Sequence, residues 1–310
     1  MAGALSLPSY GPRTLSGESS GGPRLSHIIL IVFSVVYIFF LAPYVQAGAY
    51  TVFQGILSIV QPASTTHPIA VEIPAPNSTP SSSNISRNWS GYVSQNGSYT
   101  GVSATWTVPN PTTSSGNYGT NAEWVGIGGS GNADLIQAGT QAAVDRMGNA
   151  SYEAFYETLP DPSTPFKIDV APGDSITATV TKGSGSTFNI SIKNNTNNQS
   201  VSLQIPYNSS LSSADWIEEA PSGGKKILPL SDFGTVAFTN AWAIKDGKKV
   251  NIQQSGSQPV TMQNFMGTLA TASSLSEDGS SFQVKYAENA TKNQVLQEAF
   301  LARFRHTNKP

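Results

Sequence analysis

The sequence predicts an all-β fold, an antiparallel β-sandwich, on three observations. Only 12% of the 310 residues are charged, while Gly (28) and Pro (20) are abundant, a composition suited to short strands joined by turns. Apolar residues recur with a period of two at Ile176, Ala178, Val180; Phe188, Ile190, Ile192; Val201, Leu203, Ile205; and Phe282, Val284, Tyr286, the spacing of half-buried strands. Between Asn88 and Tyr286 no amphipathic helical stretch of ordinary length separates these runs, which argues against the crossover helices of a parallel sheet.

Taken in order, residues 1–27 form a leader containing Arg13 and Arg24, followed by an apolar segment over 28–49. From Ile28 to Ala42 the chain carries no charge, and as a helix the longer segment spans roughly 30 Å, a bilayer core. The preceding arginines predict that the N-terminus stays inside and the remainder is exported. Ala47-Gly48-Ala49 also fits a small-residue cleavage signal, so a cleaved signal peptide and a membrane anchor are both open, and the chain is expected to be secreted or held at the cell surface. Residues 50–87 read as a Pro/Ser/Thr-rich linker or short prosegment, with prolines at 62, 68, 74, 76 and 80. Residues 88–286 form the predicted β domain, with about a dozen or more strands. In the tail, 287–310, Leu296, Phe300 and Phe304 lie at i, i+4 and i+8 and predict a short surface helix over 293–305. Sequons for N-glycosylation occur at Asn77, Asn84, Asn88, Asn96, Asn149, Asn189, Asn194, Asn198, Asn208 and Asn289.

Several classes of function are excluded at this stage. The formal net charge is -2, without the basic footprint of a nucleic-acid binder. Cysteine is absent, which removes disulfides, thiol nucleophiles and Cys-ligated metals. The only histidines are His27, His67 and His306, so a His-based triad or metal site within the β region is excluded. No metal or cofactor is expected. Gly126-Ile-Gly-Gly-Ser-Gly131 matches a dinucleotide-binding pattern but is followed by the strand-like Ala133-Asp-Leu-Ile-Gln137. With no helix N-terminus to hold a pyrophosphate, it reads as a turn.

Carboxylates, amides, hydroxyls and aromatics remain. Most of the fifteen Asp and Glu between 88 and 286 lie in presumptive turns, but Glu157, Asp215, Glu218 and Glu219 stand in strand-like contexts. In a strand Asp215, Ile217 and Glu219 share one face and Trp216 and Glu218 the other, so one of the adjacent glutamates is placed to face a cleft. Gln137, in Leu135-Ile-Gln-Ala-Gly139, is an amide in an apolar strand and needs partners.

Asn88-Trp-Ser-Gly-Tyr92, Val102-Ser-Ala-Thr-Trp-Thr-Val-Pro109, Trp124-Val-Gly-Ile-Gly-Gly129, Leu135-Ile-Gln-Ala-Gly139, Tyr152-Glu-Ala-Phe-Tyr-Glu157, Pro172-Gly-Asp174 and Ala214-Asp-Trp-Ile-Glu-Glu219 follow one another in the chain. This ordered set resembles the glutamic peptidases, the eqolisin family, over roughly residues 88 to 286. The resemblance implies a sandwich of two large curved antiparallel sheets and a Gln/Glu dyad that cuts peptide bonds in acid. It assigns Gln137 and Glu219 as the catalytic pair, Glu157 as a supporting carboxyl and Trp124 as the cleft tryptophan, with Tyr152 and Tyr156 of the tyrosine-rich strand as further supporting residues. Gly128 and Phe155 stand where fungal members have Asp and Trp. The expected partner is a protein or peptide substrate, with no nucleic acid, with membrane contact only through an uncleaved N-terminal segment, and with the chain as a monomer.

The implied chemistry agrees with the exclusions. A free Glu titrates near ~4.3, so a fraction is ionised in moderate acid, where a His base near ~6.5 would already be charged. An amide does not titrate in this range and can donate to a developing oxyanion, worth ~3 kcal/mol for one well-placed donor. The competing readings are a glycan-binding or glycoside-hydrolysing sandwich, with Glu157 and Glu219 as its carboxyl pair, and an inactive adhesion protein of the same fold. Substitution of Gln137 separates them, because neither needs that amide.

Overall fold

A computed structural model describes residues 84–224 and 226–307. The apolar segment at 28–49 and the linker up to residue 83 lie outside the described residues. Eighteen strands run in chain order: β1 (Asn84–Ser86), β2 (Trp89–Ser94), β3 (Tyr99–Thr107), β4 (Gly119–Gly128), β5 (Leu135–Val144), β6 (Ala150–Thr158), β7 (Thr164–Pro165), β8 (Ser175–Lys182), β9 (Thr187–Asn194), β10 (Ser200–Pro206), β11 (Ala214–Glu219), β12 (Ser222–Gly223), β13 (Lys226–Ile227), β14 (Thr235–Lys245), β15 (Lys248–Asn251), β16 (Gln258–Asn264), β17 (Gly267–Ala272) and β18 (Phe282–Tyr286). One helix, α1 (Ala290–Thr307), closes the described chain. The four period-two runs noted above fall in β8, β9, β10 and β18.

The expectation of two separate sheets is corrected in one respect. Hydrogen bonding is continuous through a single 16-stranded sheet, whose main path runs β10-β9-β8-β3-β14-β18-β17-β16-β2-β11-β4-β5-β6-β7 with β1 added on β16 and β15 on β14, and only β12 and β13 form a separate pair. The two halves nevertheless face each other as in a sandwich. Trp106 on β3 donates through Nε1 to Thr140 Oγ1 on β5 (2.8 Å), and Trp216 on β11 donates to the Ser103 carbonyl on β3 (3.0 Å). The main core accordingly combines Val102, Trp106, Ile176, Val180 and Phe238 from one half with Val125, Ile127, Ile136, Ala138 and Trp216 from the other. Along the path from β3 to β2 the register shifts twice, in β14 against β3 between Thr239 and Trp242 and in β16 against β17 between Met262 and Gln263, and β16 also pairs with β2. Such irregularities bend a strand and increase its twist while the ladder continues. β1 pairs in parallel with β16, the exception to the antiparallel pattern.

Burial distinguishes the two halves. β9 alternates buried and exposed positions, as a strand with one wet face must. β2, β4 and β5 are buried at every position, so polar side chains there need partners inside the protein. Gly128, Gly129 and Gly131 have φ of 86°, 91° and 75°, a left-handed conformation that glycine adopts without Cβ strain. This is the turn joining β4 to β5, and no helix follows it. The tail helix is longer than its apolar spacing predicts and is tied down: Ala290 joins the main core, and Gln294 accepts from Leu230 N (2.7 Å) and donates to Leu230 O (3.0 Å). Among the described residues no helix is long and apolar enough to cross a membrane.

Candidate active site

Four adjacent strands, β11, β4, β5 and β6, assemble the site. Their register places Asp215, Gly126, Gln137 and Glu157 in one row across the sheet, and Glu219, Ala122, Gln141 and Glu153 in another four residues along. Strand alternation puts all of these on one face, together with Trp124, Gly139 and Phe155 in the row between. That face carries its own apolar cluster of Trp89, Val93, Ala122, Trp124, Leu135, Phe155, Ile217 and Val260.

Glu219 is held by two donors, Asn88 Nδ2 to Oε1 (3.0 Å) and Trp124 Nε1 to Oε2 (2.7 Å). Trp124 is in turn fixed edge-on against Trp89, with ring centroids 5.0 Å apart. Burial pushes the Glu219 carboxyl up to about 7, against the hydrogen bonds from Trp124 and Asn88 that favour its charged form. The expectation that a fraction of this base is ionised in moderate acid is therefore narrowed: the ionised form is the minor one until pH nears neutral.

Gln137 donates through Nε2 to Glu157 Oε2, and Gln137 Oε1 and Glu157 Oε1 have no partner although both are buried. Burial and the charge of Glu219 push Glu157 up to about 8, with the Gln137 hydrogen bond opposing. Asp215 accepts from Ser213 Oγ (3.1 Å), is completely buried and has its carboxyl pushed far up by desolvation.

Glu219, Gln137, Glu157 and Trp124 thus come together on one face. Tyr152 and Tyr156 do not. They sit on the other face of β6 and pack against the main core, Tyr156 beside Phe166 (5.2 Å between centroids) and Tyr152 with its hydroxyl donating to Asn110 Oδ1 (3.2 Å). Strand parity alone predicts this, because Tyr152 and Tyr156 differ in parity from Glu157. Glu218 likewise points into the core.

Two polar residues escaped the sequence reading. Asn88 looked like the start of a tryptophan motif and a sequon, but its amide is buried against Glu219. Glu123 looked like a strand residue before Trp124, yet it is 1% exposed and hydrogen-bonded by Asn121 and Thr140. Its signal was a lone carboxylate in an uninterrupted buried strand, which requires partners that the sequence does not name.

The face of the sheet that carries Trp124 thus gathers desolvated carboxyl and carboxamide groups, the kind of perturbed cluster that marks functional sites. Residues 87–286 match the Peptidase A4 family, and the chain belongs to it. The chain is 32% identical over 204 residues to Aspergillopepsin-2 of Aspergillus niger, covering 56% of this chain and 72% of that protein. It is 31% identical over 193 residues to Scytalidopepsin B of Scytalidium lignicola, covering 58% of this chain and 72% of that one. Among solved structures it is similar to scytalido-glutamic peptidase with a peptide-based transition-state analogue (TM-score 0.56, 25% identity, 65% of this chain and 98% of that chain). It also resembles aspergilloglutamic peptidase from Aspergillus niger (TM-score 0.50, 30% identity, 54% and 99%). The protein is a hydrolase of the glutamic peptidase type.

Proposed function

We propose that the protein is an endopeptidase in which Glu219 and Gln137 form the reacting dyad, working on the acid side of neutral. The observation that carries this reading is the contrast between the two carboxyls on the site face. Glu219 is held by two donors that favour its charge, whereas Glu157, more strongly shifted, retains a proton and is bonded to Gln137.

In this reading the ionised fraction of Glu219 takes a proton from a water as it attacks the scissile carbonyl. Glu219 then gives that proton to the departing amine. A carboxyl near about 7 is a stronger base than a free glutamate and a competent acid once protonated, which compensates for its smaller ionised fraction. One Gln137 N–H is engaged by Glu157. The other is available to the carbonyl oxygen as charge develops on it. Because Glu157 stays protonated through the working range, the Gln137–Glu157 pair brings no negative charge near the oxyanion.

The substrate is a peptide or protein. A cavity of about 1200 Å³, lined by Arg87, Asn88, Tyr118, Arg146, Ala220 and Leu230 among others, adjoins Glu219 through Asn88 and Ala220 without including Glu219 or Gln137. It offers room for chain beyond the scissile bond. The N-terminal apolar segment supports export, with secretion or surface anchoring as the outcome. The buried amides of Asn88 and Asn194 are engaged within the fold, so glycans on the exported chain would fall on other sequons.

The test is Gln137→Ala in the full chain. We expect peptide hydrolysis to fall by about 100-fold or more, as for loss of one oxyanion donor, with the circular dichroism spectrum unchanged. A folded Gln137→Ala variant with full activity would remove Gln137 from the chemistry.

A further inference from the structure

One acidic pair lies outside the site face. Glu123 on β4 and Glu218 on β11 are directly opposite each other in the ladder, on the face turned into the main core, at 1% and 0% exposure. Each Glu123 oxygen accepts one hydrogen bond, Oε1 from Asn121 Nδ2 (2.6 Å) and Oε2 from Thr140 Oγ1 (2.7 Å), which leaves each a further lone pair. Neither Glu218 oxygen has a partner, although both are buried.

An ionised carboxylate accepts but cannot donate, so a buried one facing another carboxylate, with no donor of its own, is strongly disfavoured. A protonated Glu218 supplies its own donor, and Glu123 is the acceptor across the ladder. We propose that Glu218 and Glu123 hold a proton between them, Glu218 as the acid and Glu123 as the acceptor, and that this clamp fixes β11 to β4 and so positions Glu219 and Trp124. Glu219 is the next residue of β11 after Glu218, and Trp124 the next of β4 after Glu123, each on the opposite face of its strand. A break in the ladder at the clamp would therefore displace the hydrogen bond between Trp124 and Glu219.

The groups around the pair do not neutralise it. Thr140 of β5 and Asn121 are uncharged, each tied onward, Thr140 receiving Trp106 Nε1 and Asn121 Oδ1 receiving Ser231 Oγ (2.7 Å). Tyr152 of β6 feels the charge of Glu123, and Glu219 acts on Glu218 as a like charge. No cation is among the groups acting on either carboxyl. Burial first, and then the charge of Glu123, lift Glu218 well above the ordinary value of 4.5, with the Asn121 amide opposing, while burial raises Glu123 to about 7. Carboxyls raised in this way stabilise the fold fully below about 4.5, and the contribution drains away as pH rises toward about 7.

The test compares the full chain with Glu218→Gln, whose amide donates to Glu123 without a titrating proton. Melting followed by circular dichroism should show the wild type losing Tm between pH 4.5 and 7. The variant should lose less, by several degrees or more, on the order expected for one removed titration. After incubation at pH 7 and return to acid, the variant should keep at least about a twofold larger share of its own starting acid-pH peptidase activity than the wild type keeps of its own. Parallel melting curves, as a merely space-filling Glu218 would give, overturn the proposal. If Glu218→Gln does not fold, carbon-13 NMR of glutamate carboxyls in the wild type decides it. One core carboxyl of the pair still protonated at pH 6 supports the clamp, and two ionised carboxyls refute it.

Discussion

At the scale of single residues, Trp124 links structure to chemistry because its indole N–H donates to Glu219 Oε2. That bond favours the charged form, so its loss raises the Glu219 pKa. We predict that Trp124→Phe moves the acid limb of the kcat/KM profile to higher pH by about half a unit or more; an unmoved limb would separate Trp124 from the base. Asn88→Ala should act in the same direction through Oε1. Glu219 and Gln137 are singled out in the sequence because each sits in a motif whose order along the chain is specific. Asn88 and Glu123 were not, since their roles depend on partners 131 and 95 residues away in sequence, Glu219 and Glu218 respectively. The tyrosines show the opposite failure: resemblance drew Tyr152 and Tyr156 toward the site, while the two-residue period of β6 already sent them to the core.

At the scale of elements, β4 and β5 leave no room for a side chain at Gly139, directly opposite Trp124. A Cβ at Gly139 would meet the Glu123 carbonyl oxygen at 2.0 Å and Trp124 Cβ at 2.6 Å, distances that backbone atoms cannot relieve without separating the strands. Gly139→Ala is therefore predicted to destabilise the fold by about 3 kcal/mol, read as a fall in Tm on the order of 10 °C, and to reduce activity in the fraction that remains folded. A wild-type Tm would show that the two strands can part there at no cost. The outer strands β8, β9 and β10 were plain in the sequence, since one wet face enforces alternation. The site strands were less plain. With both faces covered, β4 and β5 place Glu, Gln, Asn and Thr among Ala and Gly, and hydrophobicity no longer marks which side is which. The continuity of the sheet was hidden for a related reason, because strand pairing and register are not a matter of composition.

At the scale of the whole molecule, the carboxyls of Glu123, Glu157, Asp215, Glu218 and Glu219 are all raised, each chiefly by burial. Raised carboxyls bind protons more tightly in the folded chain than in the unfolded one. Stability therefore declines as pH climbs from about 4.5 through about 7 to 8. We predict a higher Tm at pH 4 than at pH 7.5; a Tm that rises over this interval would contradict the burial of these acids. The fold thus favours the same acid range in which Glu157 keeps its proton. The central claim, that Glu219 is the group that activates water, is tested most directly by hydrolysis of a denatured protein by the full chain and by Glu219→Gln, measured from pH 3 to 7. The account predicts cleavage by the wild type and at least about a 1000-fold loss in the variant, with circular dichroism spectra that superimpose. Undiminished cleavage by a folded Glu219→Gln would contradict it.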